Sequence, residues 1–342
     1  MTSGTAPAWL AEVQKAPRSI PASATRPAPL LFDRHHQPIT TAEGWGRHRA
    51  ALRDDWLRFL GTIPRPSSPP GFTVLEEDRS DIIRQLIRYE AEPGLPVEAY
   101  LLRPKGEVKS APGAVVLHST ADITIRQPAG LEGPESHHIG KQLAQRGYVV
   151  VCPRCFLWQY SRPGKIAEAV DWLRDRHPSV RGMAKMLFDA VRAVDLLVSL
   201  PGVDARRVGA IGHSLGAKEV LYLAAFDERI RATVSSEGGI GLGYSNWDAP
   251  WYLGDAIHRP GFSLDHGQVL ALAAPRAFLL LGGDSADGDQ SWPYIEAALP
   301  VWRLTGAPEA VGLFNHRQGH AFPPIARDRS YEWLDWFLRP RE

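Results

Sequence analysis

Cysteine is nearly absent from this chain: among 342 residues there are only Cys152 and Cys155, in a C-P-R-C run directly after the strand-like Tyr148 to Val151. Two thiols cannot staple a disulfide scaffold, and no second ligand pair accompanies them to complete a zinc site, so reduced structural thiols are expected. An excess of either charge is also missing. Lys and Arg number 39 against 38 Asp and Glu, a formal charge of +1, and the basic residues are scattered, which speaks against a nucleic-acid partner. No apolar run is long enough to span a bilayer, so no membrane partner is expected. The opening MTSGTAPAWLAEVQKAP has neither the basic start nor the continuous apolar stretch of a secretory signal, which points to the cytoplasm. No internal repeat is visible. What remains is a chain with 44% hydrophobic residues, enough for one large core.

Residues 1–38 are rich in Pro, Ala, Ser and Thr and read as an extended arm. Apolar residues at helical spacing from Ala42 to Leu60 predict one amphipathic helix, so residues 1–70 form an arm and helix packing on the body. Short β-like runs at Phe72 to Leu75, Ile82 to Tyr89 and Val97 to Leu102 follow, the last two joined by Glu92-Pro93-Gly94. They suggest antiparallel strands at a sheet edge. Beyond residue 112, apolar strands alternate with helical patterns to the end, which predicts an α/β domain over 71–342 with a mostly parallel sheet covered on both faces. The Gly-rich, aromatic segment 238–268 breaks this rhythm and reads as a cap-like insertion or pocket wall.

Within that alternation, Gly212-His213-Ser214-Leu215-Gly216 lies between the apolar run Val208 to Ile211 and a helical pattern from Val220 to Ala225. Glycines two before and two after a serine, at a strand-to-helix crossing, make a nucleophile elbow, because a nucleophile that stands proud of its turn leaves no room for side chains there. Ser214 is therefore the expected nucleophile of a serine hydrolase.

A serine hydroxyl needs a base, and His320 lies in the loop after the strand-like Val311 to Phe314, where that base is expected; His316 is its neighbour and competitor. The acid that orients the histidine should follow another strand. In GGDSADGD, Asp287 is preferred over Asp284, which is close to the strand, and Asp289, which suits a helix start. The order Ser, Asp, His is that of an α/β-hydrolase. For the oxyanion, the Leu215 N–H is one donor and the loop after AVVLHST, through Ser119 or Thr120, supplies the other, with His118 positioning that loop.

From about residue 95 onward, VDARRVGAIGHSLG, APRAFLLLGGDSAD and NHRQGH resemble the dienelactone hydrolase and acetyl xylan esterase-like branch of the α/β-hydrolases. Dienelactone hydrolases proper use cysteine where this chain has Ser214. The elbow segment GHSLGAKEVLYLAAFDERIRATVSSEGG also resembles that of glucuronoyl esterases, in which a lysine follows the nucleophile by four positions and an acid ends the next strand. That resemblance implies Glu237 as rival to Asp287 for the acid and Lys218 as a contact to a polar or anionic substrate group. Leu215 stands where that family has arginine, and Ala217 where it has glycine.

The expectation is a carboxylic ester hydrolase that acylates Ser214, uses no metal or organic cofactor, and acts on a small or medium ester. Trp158, Trp247 and Trp251 are expected to wall a pocket for an apolar or ring-containing substrate. The alternatives are a glucuronoyl-type esterase, a peptidase or amidase related to prolyl oligopeptidase, and a catalytically silent binding protein on a hydrolase fold. The N-terminal arm and helix offer a homodimer contact.

Overall fold

A computed structural model describes residues 6–106 and 108–339. The first five residues of the stretch read for a secretory signal lie outside it. Two helices open the chain, α1 (Ala8–Glu12) and α2 (Ala42–Leu60). Three strands follow: β1 (Phe72–Asp78), β2 (Ile83–Glu92) and β3 (Leu95–Arg103). The alternating part runs β4 (Ala111–Leu117), α3 (Ile139–Gln145), β5 (Val149–Pro153), α4 (Phe156–Gln159), α5 (Ala167–Arg176), α6 (Gly182–Ser199), β6 (Val203–His213) and α7 (Leu215–Phe226). It closes with β7 (Ile230–Ser236), α8 (His266–Leu272), β8 (Ala277–Gly282), α9 (Trp292–Leu304), β9 (Val311–Asn315) and α10 (Pro324–Leu338).

The nine strands form one sheet in the order β1-β2-β3-β5-β4-β6-β7-β8-β9. Strands β1, β2, β3 and β5 pair antiparallel, and every pair from β5 through β4 to β9 is parallel. Strands β4 and β5 are buried along their whole length, as a strand covered on both faces must be. This is the α/β-hydrolase architecture, and it brings the carboxyl ends of β4 to β9 to one rim.

Helix α2 begins where Thr41 accepts a hydrogen bond from Gly44 N–H (3.1 Å), and it buries Trp45, Leu52, Trp56 and Leu60 on one stripe. Its half-buried Arg49 and Arg53 reach across to helix ends. Arg49 donates to the Leu272 carbonyl at the end of α8 (3.0 and 2.8 Å), and Arg53 to the Phe226 carbonyl at the end of α7 (3.0 Å). A guanidinium there satisfies orphan carbonyls and opposes the negative helix end. The arm crosses the sheet edge, where Val13 accepts from Leu313 N–H (2.7 Å).

Segment 238–268 holds two short 3-10 turns and no long helix before α8. Much of its aromatic content faces inward. Trp247 packs on Tyr222 (5.9 Å) and His266 (4.2 Å), which in turn stacks on Trp56 (5.7 Å). Cys152 and Cys155 are buried and unbridged, and burial pushes both thiols up, away from the reactive thiolate.

Candidate active site

The elbow is built by backbone crowding. Ser214 has φ 59° and ψ −115°, a strained conformation for a residue with a side chain. A Cβ on Gly212 would lie 2.2 Å from the Gly216 backbone, and one on Gly216 would lie 2.1 Å from the Leu117 carbonyl. Both glycines are therefore required for α7 to turn back against β6 and β4. The strand end of β6 is further fixed by Ser214 N–H, which donates to the Ser236 carbonyl (2.8 Å).

Opposite the serine stands His320. Its Nε2 is 2.9 Å from Ser214 Oγ, and its Nδ1 is 3.1 Å from Glu237 Oε2. The tautomer this network demands carries its proton on Nδ1, donates it to the carboxylate and accepts from the serine hydroxyl. Glu237 follows β7 directly, at φ 55°, with its side chain fully buried. Its other contacts are backbone donors from the loop after β8: Gly283 N–H to Oε1, and Ala286 N–H to Oε2 (2.7 Å).

The preference for Asp287 is thereby corrected. Asp287 is fully buried, and its oxygens accept from Gly239 N–H (2.7 Å), Ile240 N–H (2.9 Å) and the Ser291 hydroxyl (2.7 Å). Its carboxylate thus ties down the turn that follows Glu237 and leaves His320 Nδ1 to Glu237. Burial pushes its carboxyl pKa up, against the hydrogen bonds that lower it. Asp284 and Asp289 both pair with Arg317 at the surface. His316 is tucked beneath the loop: its Nδ1 accepts from Gln318 N–H (3.2 Å), and burial lowers its pKa. Gly283 makes the two loops meet, since a Cβ there would fall 2.0 Å from the Gly319 carbonyl and 2.5 Å from His316 Cε1.

Around the oxyanion position, Leu215 is the first residue of α7, at the positive end of that helix. On the other side, His118 Nε2 accepts from Cys155 N–H (3.0 Å), so its proton sits on Nδ1 and goes to the Ser119 carbonyl (2.8 Å). Burial holds this imidazole neutral, with a pKa lowered to about 4. With the Ser119 carbonyl held by His118, the trans peptide directs Thr120 N–H to the opposite side.

The four expected substrate contacts separate. Trp247 is corrected: it has no exposed surface, and its indole N–H donates to the Gly239 carbonyl (2.7 Å), so it is core. Trp158 is half-buried, edge-on to His118 (5.2 Å), with its N–H on Asp122 (3.1 Å), beside the loop that carries Ser119 and Thr120. Trp251 packs on Tyr252 (6.1 Å), and its carbonyl abuts Gly182 at the start of α6. Lys218 is buried, donates to Ser245 Oγ (2.5 Å) and lies 3.9 Å above the Trp247 ring; burial lowers its pKa to about 7. It joins α7 to segment 238–268.

Two histidines that the sequence reading did not single out complete the cluster. His213 lies 5.0 Å from the His320 ring, and His137, from the excursion between β4 and α3, lies 5.1 Å from His213. Among the described residues, no group of three or more His, Cys, Asp or Glu is arranged to hold a metal ion. Nor does any described helix have the length and apolarity to cross a membrane.

Residues 97–247 match the family model of the dienelactone hydrolase family. Over its full length, YtaP of Bacillus subtilis (strain 168), which bears the name of a hydrolase, is 27% identical to this chain and covers 85% of it. Glucuronoyl esterase from Solibacter usitatus superimposes with a TM-score of 0.73 at 18% identity, covering 91% of this chain and 98% of its own. A promiscuous CE15 esterase from the marine bacterial metagenome gives 0.69 at 18% identity, covering 96% and 99%. At such identities the superpositions speak for the fold. The chain has the α/β-hydrolase fold, and its residues 97–247 are similar to the dienelactone hydrolase family.

Proposed function

We propose that the protein is a serine-dependent carboxylic ester hydrolase working through an acyl-enzyme on Ser214. The observation that carries this reading is the continuous hydrogen-bond line from Ser214 Oγ through His320 to Glu237. As Ser214 Oγ bonds to the ester carbonyl carbon, His320 Nε2 takes the hydroxyl proton, and Glu237 stabilises the resulting imidazolium. The carbonyl oxygen becomes an oxyanion held by Leu215 N–H and an N–H of the Ser119–Thr120 loop. His320 then protonates the leaving alcohol, and water, deprotonated by the same nitrogen, releases the acid. The strain at Ser214, on the order of 1–3 kcal/mol, keeps Oγ raised toward the substrate.

A glucuronoyl-type substrate is the second reading, favoured by Lys218 four positions after the nucleophile and by Glu237 at the end of β7. Against it, Leu215 offers no cation and the Lys218 ammonium is already engaged by Ser245. The measurement that tests the chemistry is p-nitrophenyl acetate hydrolysis by wild type and Ser214→Ala, with fluorophosphonate labelling alongside. Turnover and labelling that both vanish in the variant are expected, a loss of at least about 10⁴-fold. Equal turnover by the two proteins overturns the reading. A parallel series of uronate methyl esters and simple acyl esters separates the two substrate classes.

A further inference from the structure

Two loops have to meet in register for the triad to form. The loop after β8 donates Gly283 N–H and Ala286 N–H (2.7 Å) to Glu237, and the loop after β9 carries His320. Backbone bonds join their inner edges, from His316 N–H to the Gly282 carbonyl and from Gly319 N–H to the Gly283 carbonyl (2.7 Å each). Each loop also holds a non-glycine residue in the left-handed region, Asp284 at φ 66° and Arg317 at φ 59°. Such backbone is strained and persists where the contacts around it over-determine it.

Those two strained residues are partners. Arg317 Nη1 donates to Asp284 Oδ2 (3.3 Å), and its Nη2 donates to both oxygens of Asp289 (3.0 and 2.7 Å). Asn315, the last residue of β9, donates through Nδ2 to Asp284 Oδ1 (2.6 Å) and Asp289 Oδ1 (2.9 Å). Its own Oδ1 accepts from Arg317 N–H (3.1 Å). One closed network of four side chains therefore spans the outer edge of both loops.

We propose that Arg317 is a positioning residue: with Asn315 it clamps the loop that cradles Glu237 to the loop that carries His320, and so keeps the imidazole against its acid. The inference rests on the serine-hydrolase reading above and deepens it. A lone exposed ion pair adds little stability, and Arg317 is 57% exposed. Here three charges and an amide share their bonds, and what they set is alignment. A displacement of about 1 Å at a reacting group costs about 100-fold in rate, however small the stability at stake.

Two substitutions and their combination separate the clamp from an effect on the Arg317 turn alone. Arg317→Gly removes the guanidinium while relieving the left-handed backbone. Asp289→Ala removes its partner on the other loop and leaves the Arg317 turn untouched. Each protein is read by steady-state kinetics on a neutral ester and by the far-downfield proton resonance of the His320 Nδ1–H bond to Glu237. Both readings are repeated from about 0.1 to about 1 M salt, over which the screening length falls from about 10 to about 3 Å.

Each single variant is expected to lower kcat by about 10-fold with KM little changed, and to shift or lose the resonance. The double variant should be no worse than the more impaired single, because one clamp is broken twice. Rising salt should move wild-type kcat toward that of Arg317→Gly, whose own kcat stays flat. Wild-type kcat and resonance in Arg317→Gly overturn the proposal, as do losses that multiply in the double variant. If Asp289→Ala does not fold, the salt profile decides: Arg317→Gly as salt-dependent as wild type overturns the clamp. A wild type that neither hydrolyses esters nor reacts with fluorophosphonate sinks the hydrolase reading instead, and the resonance still decides the clamp.

Discussion

At the scale of single residues, two acids close to one site have been given different work by their donors. Glu237 offers Oε2 to His320 while two backbone N–H groups hold it still; Asp287 spreads three hydrogen bonds over a neighbouring turn. Substitution should separate these roles. Glu237→Gln places an amide against His320 Nδ1, favours the wrong tautomer and is expected to lower kcat by about 10⁴-fold, with a stability cost of about 1–3 kcal/mol because the same NH₂ faces Ala286 N–H. Asp287→Asn turns an NH₂ toward one of the two backbone N–H donors and should cost about 1–3 kcal/mol of stability, read as a lower Tm, with a far smaller loss of kcat. The reverse ranking in kcat would restore Asp287 as the acid. Sequence spacing alone does not separate the two, since both follow strand ends in glycine-rich turns and both accept two backbone N–H groups of the opposite loop; they differ in the third partner, His320 Nδ1 for Glu237 and the Ser291 hydroxyl for Asp287.

At the scale of elements, legibility follows period and punctuation. Helix α2 spans the predicted Ala42–Leu60 because Thr41 caps it and Gly61, at φ 77°, ends it. The elbow was readable because steric necessity dictates its glycines. By contrast α8 lies at the end of a segment read as irregular, although its capping box, Asp265 with Gln268, is a sequence signal. Strand β6 begins at Val203, five residues before the apolar run, because the polar Asp204 to Arg207 hides a strand end that is not buried. The role of Trp247 was not legible at all: an aromatic in an insertion reads alike whether it faces a pocket or the core.

The elbow helix also carries a titration invisible to pattern. Glu219 is fully buried, and burial raises its pKa to about 8. In the unfolded chain the same carboxyl loses its proton near 4.5. Between those values the folded state holds more protons, so this group makes stability fall as pH rises from about 4.5 to about 8, with the penalty complete above that. Glu219→Gln should leave Tm unchanged near the acid end of this window and raise it, by the equivalent of a few kcal/mol on the order-of-magnitude scale of such shifts, at the alkaline end. Parallel Tm curves for the two proteins across the window would show that Glu219 is charged when buried.

At the scale of the whole molecule, a nine-stranded open sheet has two edges, and each must be kept from pairing with another chain. The outer strand β1 is exposed along its length, but it carries Glu76, Glu77 and Asp78 and a register break between Val74 and Glu76. Charge and irregularity both blunt an edge. Strand β9 has neither device in its buried Val311-Gly312-Leu313 and relies on the arm. Val13 accepts from Leu313 N–H, Gln14 Nε2 donates to the Val311 carbonyl (3.0 Å), and Leu10 and Val13 are buried against the body. Gly312 is what lets the arm lie so close, because a Cβ there would come 2.6 Å from Val13 Cγ2 and 2.7 Å from its carbonyl oxygen. Gly312→Ala should therefore lift the arm, cost about 1–3 kcal/mol of stability as an overpacked contact does, and open the β9 edge. The observable is association that grows with concentration, followed by light scattering, while kcat per folded molecule falls little because the His320 loop after β9 is anchored to the β8 side, by His316 N–H on Gly282 and Gly319 N–H on Gly283 (2.7 Å each). A variant that scatters like wild type and keeps its Tm would mean that β9 is protected without the arm.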